Sequence, residues 1–312
     1  MKHNLKITLL LVVFFFISQL VGLAVTNEYI DHKVTAQTGN VTWAELPMDM
    51  ERPEVEESSS YIYIFAAIII GTLLVLLIIR TGAYRMWKLW FFLAVLITLT
   101  MALGAFINEY AAFAIALALA LWKIYRPNIY IHNITETLVY GGLAAILVPI
   151  INLKAMLILL VLVSLYDMYA VWRSKHMVRM AKFQTESKIF AGLFIPYKKV
   201  KRRAKTSGKK PEKVKRKKGT AEERAEGRKS AILGGGDIGF PLLFAGVVMK
   251  NLMLTDTVLA GFLKTAIIPV VVSIALLLLF LLSKEDRYYP AMPFLSIGCV
   301  TGYLLIILIQ ML

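Results

Sequence analysis

Apolar segments of membrane-spanning length follow one another along most of the chain, and short polar turns separate them. A helix that crosses the hydrocarbon core of a bilayer needs roughly 20 apolar residues, so each segment predicts one transmembrane helix. The pattern predicts an all-α polytopic membrane protein with nine transmembrane helices. The predicted spans cover about 7–26, 61–79, 89–107, 110–121, 134–150, 155–172, 237–249, 258–282 and 291–311.

Lysine and arginine are concentrated in alternate connections between these spans. They occur at the N-terminus, in the turns 80–88 and 123–132, and in the long loop 173–230, whereas the segment 27–59 is acidic. Because cytoplasmic connections carry the excess of Lys and Arg, the N-terminus is predicted to be cytoplasmic and 27–59 external. An odd number of spans then makes the C-terminus external.

The first apolar segment has two interpretations. Lys2 and Lys6 precede it, and Gly22-Leu23-Ala24 could serve as the cleavage site of a signal peptide. The apolar stretch is long for a signal peptide, which favours a retained first helix.

Composition agrees with a membrane protein and narrows its chemistry. The chain is 58% hydrophobic with a mean hydropathy of +0.68, which excludes a soluble domain. The single cysteine, Cys299, excludes a disulfide or a cysteine-based metal site within one chain. The histidines His3, His32, His132 and His176 lie outside the deep parts of the apolar blocks, and no His-Glu-x-x-His signature occurs. Neither a zinc protease nor a serine protease with a membrane-embedded His is indicated, and no metal or cofactor is expected.

The long basic loop divides the chain into three parts. Residues 1–173 form a six-helix part, 174–231 a basic cytoplasmic loop, and 232–312 a three-helix part. This loop can account for the whole net charge of +15, and dense basic runs of this kind are usually solvated and disordered. Its composition favours solvation over nucleic-acid binding, so no nucleic-acid partner is expected.

Apolar residues near the start of this loop alternate with lysines, which indicates an amphipathic helix lying on an anionic lipid surface. These apolar residues are Phe183, Ile189, Phe190, Leu193 and Phe194.

Two aspartates lie within apolar segments, where carboxylates are costly and therefore mark a candidate functional site. Asp167 lies six residues before Arg173, roughly 9 Å along a helix, near the cytoplasmic end of the sixth span. Asp237 lies near the start of the seventh span, which enters from the same side. The predicted topology therefore places both carboxylates at one depth.

Such a pair has more than one use. Two close carboxylates share one proton, so the ionised one can activate water while the protonated one polarises a peptide carbonyl. The same pair could instead relay protons in a proton-coupled transporter or an ion-leak channel. Taken singly, Asp237 could be a helix N-cap and Asp167 a partner for a cation, although no Lys or Arg lies three or four residues from Asp167.

The neighbouring residues favour an open backbone at this depth. Gly234, Gly235 and Gly236 lack Cβ atoms, so backbone or substrate can approach closely. Pro241 removes the helical hydrogen bond to the Asp237 carbonyl, which should loosen the start of the seventh span and open it to water and an extended substrate strand.

The ninth span opens at the same membrane face with Pro290, Ala291 and Met292, a small and non-helical entry that is also compatible with a simple helix start.

Together, these elements resemble the presenilin/signal-peptide-peptidase family of intramembrane aspartyl proteases. The family pattern is Tyr-Asp in the sixth span, Gly-x-Gly-Asp in the seventh and Pro-Ala-Leu at the ninth. Here the pattern reads Tyr166-Asp167, Gly234-Gly235-Gly236-Asp237 and Pro290-Ala291-Met292. Met292 replaces the family leucine, a change between apolar side chains of similar volume.

The resemblance implies an aspartic endopeptidase of the GxGD type that cleaves transmembrane helices, with Asp167 and Asp237 as the catalytic residues. The residues that would shape the site or bind substrate are Tyr166, Gly234, Gly235, Gly236, Pro290, Ala291 and Met292.

The cytoplasmic N-terminus is like that of presenilin rather than of the inverted signal peptide peptidase. The chain looks like a microbial, archaeal presenilin homologue, which implies the plasma membrane of a prokaryote. Whether it forms a homo-oligomer stays open. A prepilin-peptidase-like enzyme also uses a glycine-flanked Asp, but the late Pro-Ala-Met element favours the presenilin family.

Overall fold

Helices form most of the structure, a computed structural model that describes residues 5–174, 176–187, 189–198, 228–283 and 289–311. The helices are α1 (Leu5–Glu28), α2 (His32–Thr38), α3 (Ser60–Thr81), α4 (Tyr84–Gly104), α5 (Glu109–Tyr125), α6 (Ile129–Leu147), α7 (Leu153–Met168), α8 (His176–Glu186), α9 (Gly235–Leu252), α10 (Val258–Thr265), α11 (Ile267–Leu282) and α12 (Met292–Met311). A 3₁₀ turn covers Pro47–Asp49, and α7 continues as a π-helical segment over Tyr169–Arg173.

Six helical segments in the described part of the chain are long and apolar enough to cross a membrane. They are α1, α3, α4, α7 with its π-helical segment, α10 together with α11, and α12. The other three predicted spans also coincide with helices, but α5 has only 17 residues, and α6 and α9 are less apolar along their length. Their crossing of the membrane therefore stays a prediction.

Helix α6 begins earlier than predicted. His132 was assigned to a basic turn, but it lies within α6, whose first turn is capped by the side chain of Asn128. Lys123, assigned to the same turn, is buried in the last turn of α5. These polar side chains face neighbouring elements of the protein. A prediction from the apolar pattern alone therefore ends α5 too early and begins α6 too late.

The predicted eighth span is divided into α10 and α11 around Ala266. Pro269 has no N–H to donate to the carbonyl of Thr265, the last residue of α10, and this missing hydrogen bond explains the break.

The helix that carries Asp237 lies in the centre of the fold. Helix α9 packs against α1, α6, α7, α10, α11 and α12. Every residue from Pro241 to Lys250 is buried. Residues at the start of α9 are therefore positioned by contacts on several sides.

Part of the predicted loop 174–231 forms regular structure. After α8, strand β1 (Gly192–Lys198) pairs antiparallel with β2 (Arg228–Gly234), and Gly192 lies opposite Gly234. Leu193 and Phe194, predicted within an amphipathic helix, lie in β1.

The apolar side chains of this small sheet explain the difference. Leu193 and Ile195 are buried on one face of β1, and Ala231 and Leu233 are buried in β2. Alternate burial is the two-residue period of a strand rather than the period of a helix. The prediction of disorder otherwise falls on 199–227, outside the described residues.

Candidate active site

Asp167 lies in the last turn of α7 and is held by the backbone at the start of α12. Its Oδ2 accepts a hydrogen bond from the Met292 N–H at 3.0 Å, and the Ala291 N–H is a second donor. The first N–H groups of a helix have no partner within it, so a carboxylate there satisfies them and interacts favourably with the helix dipole. The Pro290-Ala291-Met292 element is thereby joined to Asp167.

Asp237 lies in the first turn of α9 but is not the N-cap residue. The N-cap is Gly234, the last residue of β2, and the Asp237 carboxylate reaches back to the Gly234 backbone N–H. The N-cap interpretation was therefore wrong in position, although the carboxylate does satisfy a backbone donor at the helix start. Pro241 lies inside α9, so the Asp237 carbonyl has no α-helical donor four residues on.

The two carboxylates are close enough to interact electrostatically, across the contact between α7 and α9. The hydrogen-bond partners of Asp167 are backbone N–H groups, and no ion pair to it occurs within the described ranges. The alternative of a cation partner for Asp167 has no support there. Two interacting carboxylates on adjacent helices can share a proton and work as one acid–base unit.

Tyr166 is adjacent to Asp167 in sequence but its hydroxyl is directed elsewhere. It donates to Thr72 Oγ1 in α3 at 2.9 Å and contacts His176 Nε2 in α8 at 3.0 Å. Tyr166 therefore connects α7 to α3 and α8. Burial and the nearby charge of Arg179 lower the pKa of His176 below its usual value of 6.5.

The three glycines have different surroundings. A Cβ at Gly235 would lie 2.7 Å from Tyr140 Oη, and a Cβ at Gly234 would lie 3.3 Å from Asp237 Oδ2. Gly236 is exposed. Gly235 thus accommodates a side chain of α6, a close approach that the sequence predicted only in general terms.

A group of buried polar residues that lies beside this site was not identified from the sequence. We call it the Glu136 cluster, and it consists of Lys123, His132, Asn133, Glu136 and Tyr140. A charged residue inside an apolar segment marks a candidate site, and applying that rule to Glu136, as it was applied to the two aspartates, would have found the cluster.

Within the described ranges, no group of three or more His, Cys, Asp or Glu side chains could hold a metal ion. The chemistry that the site can perform from its own residues is acid–base chemistry.

A carboxylate pair between helices of a polytopic membrane protein is the arrangement expected of an intramembrane aspartic protease. The family model described as signal-peptide peptidase, presenilin aspartyl protease matches residues 34–312. The chain belongs to this family and is an intramembrane aspartyl protease, an integral multi-pass membrane protein that acts on transmembrane substrates.

Solved structures agree on the fold. A presenilin family intramembrane aspartate protease in the C222 space group superposes with a TM-score of 0.59 at 16% identity, covering 96% of this chain and 97% of that one. The structure of a presenilin family intramembrane aspartate protease in the P2 space group gives 0.57 at 16% identity, covering 96% of each chain. No curated protein sequence matches the chain.

Proposed function

We propose that Asp167 and Asp237 are the catalytic pair and hydrolyse peptide bonds within transmembrane helices. The observation that carries this assignment is that the two carboxylates, on packed helices α7 and α9, are near enough to interact electrostatically, while Asp167 is also held by the backbone of α12. The backbone contacts hold Asp167 in place, and the first turn of α9 holds Asp237.

The reaction uses one proton shared by the pair. The ionised carboxylate takes a proton from a water molecule, whose oxygen attacks the peptide carbonyl carbon. The protonated carboxyl hydrogen-bonds the carbonyl oxygen and then gives its proton to the departing nitrogen as the C–N bond breaks. The pair ends the cycle with one proton, as it began.

An unwound segment of the substrate fits beside the small sheet. Strand β2 leads directly into Asp237, and within the described residues β1 is its only strand partner. A free strand edge has unpaired N–H and C=O groups that can pair with an extended peptide. We propose that the substrate pairs here, close to the exposed Gly236 and the Pro290-Ala291 turn.

The finer membrane arrangement belongs to the same proposal. Nine spans, with α5, α6 and α9 among them, put the N-terminus in the cytoplasm and the C-terminus outside. The membrane is the plasma membrane of a prokaryote, and the basic loop lies against its anionic lipids.

Asparagine variants test the catalytic pair. Purified wild-type protein in lipid should cut a model transmembrane peptide into fragments that mass spectrometry identifies. Asp167→Asn and Asp237→Asn should each abolish cleavage, and the double variant should be no worse than either, because half of an acid–base pair does not work alone. Thr72→Val, which removes a hydroxyl near Tyr166 but not the pair, is the matched control and should retain cleavage.

Near-wild-type cleavage by either Asn variant would contradict the assignment. If wild type cleaves no transmembrane peptide but conducts protons in liposomes, and both Asn variants do not, the carboxylates act as a relay instead.

A further inference from the structure

The Glu136 carboxylate lies at the centre of a buried network that connects three elements. Lys123 is 5% exposed and Glu136 only 1%. The Lys123 ammonium from α5 contacts Glu136 Oε1 and donates to Thr135 Oγ1 at 3.0 Å. On the other carboxylate oxygen, Oε2 accepts from the Tyr140 hydroxyl and, at 2.8 Å, from the Gly192 N–H of β1.

Helix α6 uses this network to hold the edge of β1 that faces away from β2. The Gly192 N–H binds Glu136, and the Gly192 carbonyl contacts His132 Nε2 at 2.8 Å. Phe194 lies two residues after Gly192 in β1. Its carbonyl accepts from the Asn133 side-chain amide and its N–H donates to the Asn133 side-chain oxygen, both at 3.0 Å. Asn133 thereby replaces a neighbouring strand, and β1 is fixed on both edges.

The backbone of Gly192 makes the junction tight. Its φ of +137° lies in the range that favours glycine, and a Cβ there would lie 2.1 Å from the Leu233 carbonyl oxygen. The residue before it, Ala191, accepts a hydrogen bond from the Gly235 N–H at 3.1 Å. The start of β1 therefore contacts the start of α9 directly.

A second route from Glu136 reaches the same turn of α9. The Tyr140 hydroxyl, oriented by Glu136, occupies the space where a Gly235 side chain would be. Gly235 is two residues before Asp237, in the same helical turn. Movement of Glu136 would therefore be transmitted to Asp237 both through β1 and through Tyr140.

We propose that Glu136 is a positioning residue for Asp237: its carboxylate fixes strand β1 and, through Tyr140, the first turn of α9. This inference rests on the proposed function, since it assumes that Asp237 needs an accurate position for catalysis. Lys123 compensates the charge of Glu136, because an unpaired carboxylate buried here would carry a large desolvation cost.

The first test measures amide exchange and kinetics on the full-length protein in lipid. In Glu136→Gln and Tyr140→Phe, hydrogen exchange followed by mass spectrometry should accelerate in peptides covering 189–198 and 228–240. The kcat for a transmembrane peptide should fall by about ten- to a hundredfold, the loss expected from a displaced catalytic group, while KM changes little.

The matched control is Glu57→Gln. Glu57 pairs with buried Lys250 at the opposite end of α9, so this variant also leaves a buried lysine without its carboxylate, but far from Asp237 along the helix. It should change exchange only near its own site and leave kcat at the wild-type value. If Glu57→Gln lowered kcat as much as Tyr140→Phe, the loss would reflect general destabilisation of the protein, and the proposal would be overturned.

A second test is steric and does not disturb the ion pair. Gly235→Ala puts a methyl group against Tyr140 Oη and should lower kcat. Adding Tyr140→Phe removes that oxygen, after which the nearest ring carbons lie at 3.3 Å, so the steric part of the loss should be rescued and the double variant should be as active as Tyr140→Phe alone. Loss of activity without this rescue would contradict the Tyr140 route.

The two proposals fail in different ways. Amide exchange does not depend on activity, so unchanged exchange at 189–198 in both Glu136→Gln and Tyr140→Phe overturns the positioning role even if the wild type cleaves peptides. Normal cleavage by an Asp237→Asn variant would instead overturn the catalytic pair and leave the exchange result intact.

Discussion

Individual residues at the junction of β1 and α9 leave little space for change. Gly192 has a positive φ and lies against the Leu233 carbonyl, while Gly235 lies against the Tyr140 hydroxyl. Asp237 follows Gly235 within one helical turn, so the position proposed for its carboxylate depends on these contacts. Glycine at these positions serves backbone geometry and close packing.

Substituting Gly192 tests this at the level of one atom. Gly192→Ala combines an unfavourable φ with a clash, so we expect a loss of about 2–4 kcal/mol in unfolding free energy together with loss of cleavage. Gly39→Ala is the control, since Gly39 also has a positive φ of 68° but has nothing within 4 Å of its Cβ position. It should cost only about 1 kcal/mol. Equal thermal destabilisation of both variants would show that the β1 contact is unimportant.

At the scale of elements, His176 is one of the residues that attach α8 to the end of α7. The Tyr166 hydroxyl donates to Thr72, so its oxygen accepts from His176 Nε2–H, and Ser174 Oγ lies against His176 Nδ1. Because the pKa of His176 is lowered, the docked form resists protonation.

The stability of this contact should therefore depend on pH. As pH falls below 6.5, undocked His176 takes up a proton before the docked form does, so docking weakens towards acid and is complete above that value. Wild-type protein should unfold at a lower temperature at about pH 5.5 than at about 7.5. His176→Gln should lack that component, whereas His32→Gln should keep it. An identical pH response in His176→Gln would argue against the coupling.

The elements differed in how far the sequence could predict them. The two aspartates and the Pro-Ala-Met turn were found because a carboxylate in an apolar segment is rare and a proline is conspicuous. The hydrogen bond from the Met292 N–H to Asp167 could not be predicted from the sequence. It joins α7 to α12, and its donor is a backbone group that no residue type reveals. Strand β1 was missed because lysines around Leu193 and Ile195 hide a two-residue period within a basic run.

At the scale of the molecule, α9 is the central helix, and α1, α6, α7, α10, α11 and α12 pack around it. Neighbouring helices would shield α9 from lipid, and the Glu136 side chain of α6 is buried against α5 and β1, so the polar groups of both helices are compatible with a place in the membrane. Their moderate hydropathy is therefore compatible with spans, although length and composition alone select only six segments. Crossing of the membrane by α5, α6 and α9 needs a direct measurement.

Cysteine labelling of intact cells or sealed vesicles provides that measurement. A cysteine at position 50 should react with an impermeant reagent from outside, and one at position 210 only after the membrane is opened. The native Cys299 is buried, so it should add little background. Labelling of both positions from the same side would disprove the nine-span topology.

The pairing of Lys198 with Arg228 places the two ends of the intervening chain next to each other in the sheet. The entropic cost of closing a loop grows only with the logarithm of its length, so halving or doubling this connection changes stability by about 0.6 kcal/mol. The register between β1 and β2 is fixed by the hydrogen bonds between the two strands and by Asn133, which holds β1. A shortened connection, such as deletion of 205–225, or an inserted soluble domain should therefore leave Asp237 in place and cleavage largely intact. The basic loop would then be free to differ in length among proteins with this fold without any change at the catalytic pair.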